Sequence, residues 1–195
     1  QLERFINEPD NEIDPLIRMA VIHHRFESIH PFYDGNGRTG RIINVLYLVH
    51  AGLLDIPVLY LSRYLVRHKN EYYRLLQAVR ETGEWQPWVL YMLEAVAETA
   101  QQSITVVSAI RAAMQDYKHR IRDKFSFYSQ DLINHLFCHP YTKIEFVADA
   151  LSVSRQTAAK YLDELVTENL LHKEKLGKSN YYINIVLYDI LSKQA

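Results

Sequence analysis

The chain has 195 residues, of which 48% are hydrophobic, and a formal net charge of −1. This composition excludes a disordered chain, and it gives no global basic field that would draw the protein to nucleic acid or to a membrane surface. The single cysteine, Cys138, excludes an internal disulfide, and no apolar run reaches the ~18 residues that span a bilayer. We therefore expect a globular, cytoplasmic protein with no membrane segment.

The first half of the chain is predicted to be mainly α-helical, because apolar residues recur there at helical spacing and glycine and proline are scarce. A first clear helix is predicted over residues 14 to 30, and Pro31 ends it. A second helix is predicted from about residue 38 to residue 52. Because it is apolar almost all round, we expect it to be central and buried. A further helix is predicted over residues 68 to 81.

A long helical segment is predicted from Pro87 to about Lys124, as one helix or two in line. Its apolar heptad stripe is typical either of a connector packed against a partner or of a surface helix that rests on its own domain. We expect a homodimer that forms through this helix or through the C-terminal domain. The stripe comprises Val107, Ile110, Met114, Tyr117 and Ile121.

The last seventy residues change character, and we place a domain boundary between residues 1–125 and 126–195. LINHLF, KIEFVADAL and RQTAAKYLDELVTENLL are each predicted to be helical. LLHKEKL, GKSN and YYINIVLY are then predicted as strand, turn and strand. Three helices followed by a hairpin are typical of a winged helix-turn-helix domain.

This second domain has two candidate roles. In a DNA-binding reading, the third helix would present four side chains to a groove and Lys178 would lie in the wing. Residues 126 to 195, however, carry seven Lys/Arg against eight Asp/Glu, a net charge of −1, whereas DNA-binding domains are usually basic on one face. Dimerisation or contact with another protein therefore stays open as the alternative. The four side chains are Arg155, Gln156, Thr157 and Lys160.

The stretch HPFYDGNGRTGR, residues 30 to 41, concentrates backbone freedom and charge between two helices. Gly35, Asn36 and Gly37 tolerate positive φ, so consecutive N–H groups can turn inward and form an anion nest. The loop leads into a helix N-terminus, which favours negative charge. Arg38 and Arg41 are three residues apart and share a face of the first turn. The pattern predicts a cradle for a polyphosphate.

Two ionisable side chains add chemistry to this cradle. Asp34 lies at its mouth, and a single carboxylate beside phosphates is a usual way to hold Mg²⁺. His30 ends the preceding helix and can take a proton from an attacking hydroxyl. The alternative is a glycine turn whose arginines only cap or pair. The coincidence of all these residue types favours a site for attack on a nucleotide phosphate.

HPFYDGNGRTGR resembles, position by position, the Fic family signature HxFx[D/E]GNGRxxR. The resemblance continues in FESIHPF, LYLS and EYYRLLQAVRETGEWQPW, and covers about residues 1 to 100. It implies a Fic-type helical core followed by the winged helix-turn-helix domain. It also implies transfer of AMP from ATP to a Ser, Thr or Tyr hydroxyl of a protein, with Mg²⁺ as cofactor and the protein itself as one candidate target.

The resemblance also implies roles for individual residues. His30 would be the base, Asp34 would bind Mg²⁺, and Arg41 would take the γ-phosphate. Phe32 would anchor the loop in the core. The remaining nucleotide-binding residues implied in this way are Gly35, Asn36, Gly37, Arg38, Thr39 and Gly40, with Tyr72 and Tyr73 farther along the chain.

Two family features are not found in the sequence. Residues 1 to 13 cannot supply the β-hairpin that aligns the target, so we expect a Fic domain truncated at its N-terminus. The inhibitory pattern [S/T]xxxE[G/N], whose glutamate pairs with the second arginine of the motif, is also absent. Arg41 is therefore expected to be free to bind an anion.

Two other functions remain open from the sequence. One is a transcriptional regulator that senses a nucleotide and binds DNA through the winged helix. The other is a Fic enzyme that removes AMP or transfers another phosphoryl group. The intact motif favours an enzyme over a sensor, because a sensor has no need of His30.

Overall fold

The computed structural model describes residues 1–8, 12–177 and 179–193. The chain divides into two compact units, Gln1–Ile104 and Thr105–Ala195, each with its own hydrophobic core. The predicted boundary after residue 125 lies later in the chain. The sequence changes character only where the long helix ends, whereas Tyr117 and Ile121 of that helix already belong to the second core.

The first unit is built from helices, as its apolar periodicity predicts. Its helices are α1 (Leu2–Asn7), α2 (Pro15–Ile29), α3 (Asn36–His50), α4 (Ser62–Arg67), α5 (Lys69–Thr82) and the first part of α6 (Trp85–Lys124).

Helix ends in this unit follow local chemistry. The Asp14 carboxylate accepts a hydrogen bond from the Leu16 N–H at 2.8 Å, and Pro15 occupies the first position of α2. At the end of α5, Gly83 adopts φ 76°, a left-handed conformation that favours glycine. Both ends were predicted. The short α4 was not, because SRYLVR is too brief to show a helical period.

The first core lies where α2 packs on α3, α5 and the start of α6. Trp88 is fully buried and donates its indole N–H to the Ala20 carbonyl at 2.9 Å. The prediction that the second helix is central and buried holds for only one of its faces. In α3, Tyr47 and Leu48 are buried, whereas Ile42 and Leu46 are 58% and 54% exposed. One face of α3 packs in the core, and the other lines an open pocket.

The second unit has the order of elements predicted for a winged helix-turn-helix domain. After α6 come α7 (Gln130–Cys138), β1 (Tyr141–Thr142), α8 (Ile144–Leu151), α9 (Arg155–Thr167), β2 (Leu171–Leu176), β3 (Ser179–Asn184) and α10 (Ile185–Ser192). The strands form one antiparallel sheet in the order β1-β3-β2.

Two boundaries in this unit differ from the prediction. The α9 helix ends at Thr167, because Asn169 adopts a left-handed φ of 54° and turns the chain into β2. The predicted strand YYINIVLY ends at Asn184 and continues as α10. The Asn184 side chain accepts from the Leu187 N–H at 3.1 Å and so caps this helix. A short apolar run such as IVLY does not by itself distinguish strand from helix.

The predicted heptad stripe of α6 is covered only in part. Tyr117 and Ile121 are fully buried in the second core, and Tyr117 donates its hydroxyl to the Leu170 carbonyl at 2.6 Å. Val107 is 62% exposed. Part of the stripe therefore packs on its own domain, and the expected homodimer stays a prediction.

We predict that stability of the first unit falls in weak acid because of His23. This residue is fully buried, and burial lowers its pKa from 6.5 to about 4. The unfolded chain takes up the proton below pH 6.5, whereas the folded chain does not until about pH 4, so the free energy of unfolding decreases between these values. At pH 5 the loss is about 2 kcal/mol, measurable by urea unfolding.

The His23→Gln variant should lose most of this pH dependence. His24, whose pKa is also lowered by burial, should leave a shallower slope of the same sign. An unchanged slope in the variant would show that His23 is not the titrating group.

We also predict that Asn184→Ala destabilises the second unit by about 2 kcal/mol, since it removes a helix cap and a buried hydrogen bond. Asn184 is 1% exposed, and its Nδ2 also donates to the Leu136 carbonyl at 3.1 Å. Urea unfolding followed by circular dichroism measures the change. The matched control is Asn134→Ala on the exposed side of α7, which should change stability by less than about 0.5 kcal/mol. Equal effects would contradict the assignment.

Candidate functional site

The segment between α2 and α3 begins with a backbone conformation that is costly for a side-chain-bearing residue. His30 caps α2 at φ 49° and ψ 57°, and its N–H donates to the Phe26 carbonyl at 3.0 Å. Strain of this kind concentrates at functional sites. The His30 side chain is exposed, so the imidazole is available to a substrate.

Asn36 holds the loop in shape. Its Oδ1 accepts from the Phe32 N–H at 2.9 Å, and its Nδ2 donates to the Phe32 carbonyl at 2.6 Å. Asn36 is 3% exposed, whereas Phe32 is 50% exposed. The Phe32 ring is half-exposed and its centroid lies 6.3 Å from that of the buried Phe26 ring, so its role as an anchor stays a prediction, while the Asn36 amide holds the loop through hydrogen bonds. Asn36 can offer a phosphate its backbone N–H, but its side-chain amide is already bonded.

The loop closes on the N-terminus of α3. Gly35 adopts φ 85° and offers no side-chain cap, so the first N–H groups of α3 have no partner within the helix. Together with the helix dipole, such groups favour an anion. Nucleotide binding by Thr39 stays a prediction. Its hydroxyl donates to the Gly35 carbonyl at 3.1 Å, which directs it along the helix.

Asp34 points its carboxylate into solvent at the edge of the loop, with 86% of the side chain exposed. Its Oδ1 accepts from the Gly35 N–H at 2.7 Å, and its Oδ2 lies 3.4 Å from Nη2 of Arg38. No cluster of three metal-binding side chains occurs in the part of the chain that the structure describes. A single accessible carboxylate fits Mg²⁺ that arrives with phosphate oxygens and water as its other ligands.

Arg38 and Arg41 line the same pocket, which has a volume of about 670 Å³. Its other walls are mostly apolar. The guanidinium groups can therefore meet the anionic end of a ligand while the apolar walls exclude water from the rest. The apolar wall includes Ile42, Val45, Leu46, Leu59, Leu61 and Val66.

Gly40 is not part of this pocket and packs against α2 instead. A Cβ at Gly40 would lie 2.9 Å from Oε1 of Glu27 and 3.2 Å from Cε1 of His23. A side chain here would press on the buried rings of His23 and Phe26, so glycine suits the close approach of α2 to α3. The structure thus gives Gly40 a packing role, and nucleotide binding by Gly40 stays a prediction.

The two adjacent tyrosines of α5 have different environments. Tyr72 is 8% exposed in the first core, and its hydroxyl lies 3.1 Å from Nε2 of His23. Burial raises the pKa of Tyr72, so its hydroxyl stays protonated. Tyr72 lies in the core and is not among the residues that line the pocket beside Arg38 and Arg41, and nucleotide binding by Tyr72 stays a prediction. Tyr73 is 55% exposed and remains a candidate.

Two buried polar residues lie next to the site, and sequence reasoning assigned neither of them to it. Glu27 is 8% exposed and lies at the α2–α3 contact, and Asn44 is fully buried near His23. Their signal in the sequence is spacing: Glu27 lies one turn before His30, and Asn44 lies one turn after Gly40 in an otherwise apolar run.

The candidate DNA-binding side chains of α9 partly use their charges within the second unit. Arg155 lies 3.5 Å from the Glu145 carboxylate of α8, and Lys160 lies 3.8 Å from Glu164. The Thr157 hydroxyl is 2.9 Å from that of Ser154, while Gln156 is exposed. Lys178 lies outside the described residues. These neighbours neutralise much of the positive charge, and DNA binding stays a prediction.

Membrane crossing is not supported by the helices of the described residues. None of them combines the length and the hydropathy that a bilayer span requires.

Comparison with known proteins gives matches in both units. Residues 1–48 match the family model described as "Fic/DOC family". Residues 113–187 match the one described as "Protein adenylyltransferase SoFic-like, C-terminal domain".

Among curated relatives, "Protein adenylyltransferase Fic" of Drosophila yakuba is 31% identical over 100 residues, which cover 51% of this chain and 19% of the relative. "Protein adenylyltransferase fic-1" of Caenorhabditis elegans is 35% identical over 92 residues, covering 47% of this chain and 17% of the relative. The chain thus spans about a fifth of the length of the curated relatives it matches.

A solved structure of a Fic family protein from Desulfovibrio desulfuricans G20 aligns with 93% of this chain and 52% of its own, at 21% identity and a TM-score of 0.48. The complete motif at residues 30 to 41 and the two family models, one in each unit, agree with one another. Both units therefore carry Fic-type sequence features, a Fic/DOC family match over residues 1–48 and a SoFic-like C-terminal domain match over residues 113–187.

Proposed function

We propose that this protein is a nucleotidyltransferase that transfers AMP from ATP to a Ser, Thr or Tyr hydroxyl of a protein. The observation that carries the proposal is the convergence of four features on the loop between α2 and α3. These features are the exposed His30, the exposed Asp34 carboxylate, the uncapped N-terminus of α3 and the pocket lined by Arg38 and Arg41. The names of the adenylyltransferase relatives support the same reaction.

Binding would divide the nucleotide between these features. The N–H groups at the start of α3 and Arg38 would hold the α- and β-phosphates, and Arg41 would hold the γ-phosphate. Tyr73 is exposed on α5 and would contact the nucleoside. The target hydroxyl would approach from the solvent side of the loop, where His30 is exposed.

The chemical step needs one base and one leaving group. The target oxygen attacks the α-phosphorus and forms a new P–O bond, and the bond from that phosphorus to the β-phosphate oxygen breaks. His30 accepts the proton that the hydroxyl loses, and pyrophosphate leaves with its charge held by the arginines. The products are the AMP-modified side chain and pyrophosphate.

Asp34 is the residue that would hold Mg²⁺ in this proposal. Magnesium would offset phosphate charge as it builds up on the leaving group. The exposed carboxylate suits this role because it can share the ion with phosphate oxygens and water.

AMP transfer is favoured over nucleotide sensing by the position of His30. A sensor requires a phosphate cradle but no base, whereas here a strained backbone holds an exposed histidine at the edge of that cradle. Removal of AMP by the same site would use the same residues and is an alternative outcome of the experiment below.

We predict that His30→Ala abolishes AMP transfer while ATP affinity stays within about threefold, because the base acts on the hydroxyl and not on the phosphates. A positioned base typically contributes ~10²–10⁴ in rate. Intact-mass analysis with Mg-ATP, of the protein alone and with candidate targets, measures transfer, and calorimetry measures binding. The control is His50→Ala, which changes an exposed histidine at the other end of α3. Equal labelling by the His30 variant and the wild type would exclude His30 as the base.

We further predict that Arg38→Ala weakens ATP binding, by roughly tenfold for a lost charge-assisted contact, and that Lys160→Ala does not. If the winged helix binds DNA, only Lys160→Ala should lower the affinity for duplex DNA. Calorimetry with ATP and a fluorescence anisotropy titration with DNA separate the two effects. A nucleotide-binding defect in the Lys160 variant would contradict the division of roles between the two units.

A further inference from the structure

A cluster of polar side chains lies inside the first unit, beneath the phosphate loop. It consists of His23 and Glu27 from α2 and of Arg41 and Asn44 from α3, and is called the buried polar cluster below. Five of its atoms are buried and have no hydrogen-bond partner among the described residues: Nδ1 of His23, Oε1 of Glu27, Nε of Arg41, and both amide atoms of Asn44.

Such a concentration of unpartnered polar atoms requires an explanation, because buried polar groups nearly always find partners. Isolated, each would cost about 1–3 kcal/mol. Here the unpartnered atoms include both donors and acceptors and come from the two helices that meet at Gly40. Ordered water or small side-chain rotations can join them, and so the cluster is built to hold hydrogen bonds.

Two glycines bring the carboxylate and the guanidinium to the same place. At Gly37, a Cβ would lie 3.1 Å from Nη1 of Arg41 and 3.8 Å from Oε1 of Glu27. At Gly40, a Cβ would lie 2.9 Å from the same Glu27 oxygen. The Glu27 carboxylate and the Arg41 guanidinium therefore both lie beside Gly37. Nε of Arg41 has no hydrogen-bond partner among the described residues.

Arg41 has two environments as a result. Part of its side chain lines the pocket beside Arg38, and its Nε lies in the buried polar cluster. A guanidinium group has five N–H donors in a fixed plane, so one edge can be held by the protein while another binds a ligand.

We propose that Glu27 is a positioning residue that holds the inner edge of the Arg41 guanidinium, directly or through a buried water, so that its outer edge meets the terminal phosphate of a nucleoside triphosphate. This inference rests on the proposed function, since it concerns how the same site recognises its nucleotide. Glu27 itself does not touch the ligand. Replacement of Glu27 should therefore weaken the binding only of those ligands that reach Arg41.

Other charged groups near Glu27 are consistent with this role. From α5, Arg80 donates to the Glu27 carbonyl at 3.1 Å and to the Ser28 hydroxyl at 3.2 Å, which fixes the end of α2. Burial raises the pKa of the Glu27 carboxyl, and the positive charges of His30, Arg41 and Arg80 oppose that shift. A bond to Arg41 would favour the ionised carboxylate.

The test compares nucleotides that differ in their terminal phosphates. The Glu27→Gln variant keeps a hydrogen-bond acceptor but removes the charge, and its ATP affinity should fall roughly threefold to tenfold. The Glu27→Met variant also removes the acceptor, and its ATP affinity should fall by more than roughly tenfold. AMP affinity should stay within about twofold in both variants. The control is Glu81→Gln, which changes an exposed glutamate of α5 and should likewise leave AMP affinity within about twofold. Calorimetry with each nucleotide measures these values.

Each result decides the proposal. Equal losses for ATP and AMP would indicate a general structural defect and overturn it, and a gain in ATP affinity would show that Glu27 competes with the phosphate. A wild-type protein that binds ATP no better than AMP would overturn both this inference and the proposed function.

A second measurement needs no nucleotide. In a ¹⁵N NMR spectrum of the full 195-residue chain, the Nε–H signal of Arg41, assigned through its absence in Arg41→Lys, should exchange slowly with solvent. It should exchange much faster in Glu27→Met. Fast exchange in the wild type would show that nothing holds Arg41, even if AMP transfer is observed.

Discussion

The structure of the first unit depends on one close contact, the approach of α2 to α3 at Gly40. Because a side chain at that position would press on Glu27 and on the buried rings of His23 and Phe26, glycine favours this close approach of the two helices. The contact fixes the short loop that joins them. It thereby holds His30, at the end of one helix, beside the uncapped N-terminus of the other. The candidate chemistry thus follows from a packing constraint.

The same contact encloses polar side chains that a core built only for stability would avoid. His23 and Asn44 are fully buried, and Glu27 nearly so. Their desolvation is a cost that apolar residues of similar size would not carry. Placed directly beneath a phosphate-binding loop, these groups can orient the side chains above them. Strain at His30 is a cost of the same kind, in the same place.

The second unit is organised differently. Its core of three helices and a sheet is apolar, and its buried polar groups, such as Asn184 and the Tyr117 hydroxyl, have hydrogen-bond partners. On α9, where a winged helix would contact DNA, Arg155 and Lys160 lie beside glutamates. The unit therefore has the order of elements predicted for a winged helix, with the two positive charges of α9 beside glutamates, and its partner is a separate question from the chemistry of the loop.

The sequence by itself determined the helical class, most helix ends and the position of the loop, because these depend on local signals. Examples are Asp14 as a helix cap, Gly83 in a left-handed turn, and the glycines and arginines of residues 30 to 41. Only the tertiary structure decided which residues face which space. Gly40 lies within the motif and Tyr72 lies farther along the chain in α5, yet both pack inward. Their neighbours come from other helices, which a local sequence pattern does not reveal. The exposed face of α3 and the helix at IVLY were likewise beyond local pattern, because both depend on what packs against them.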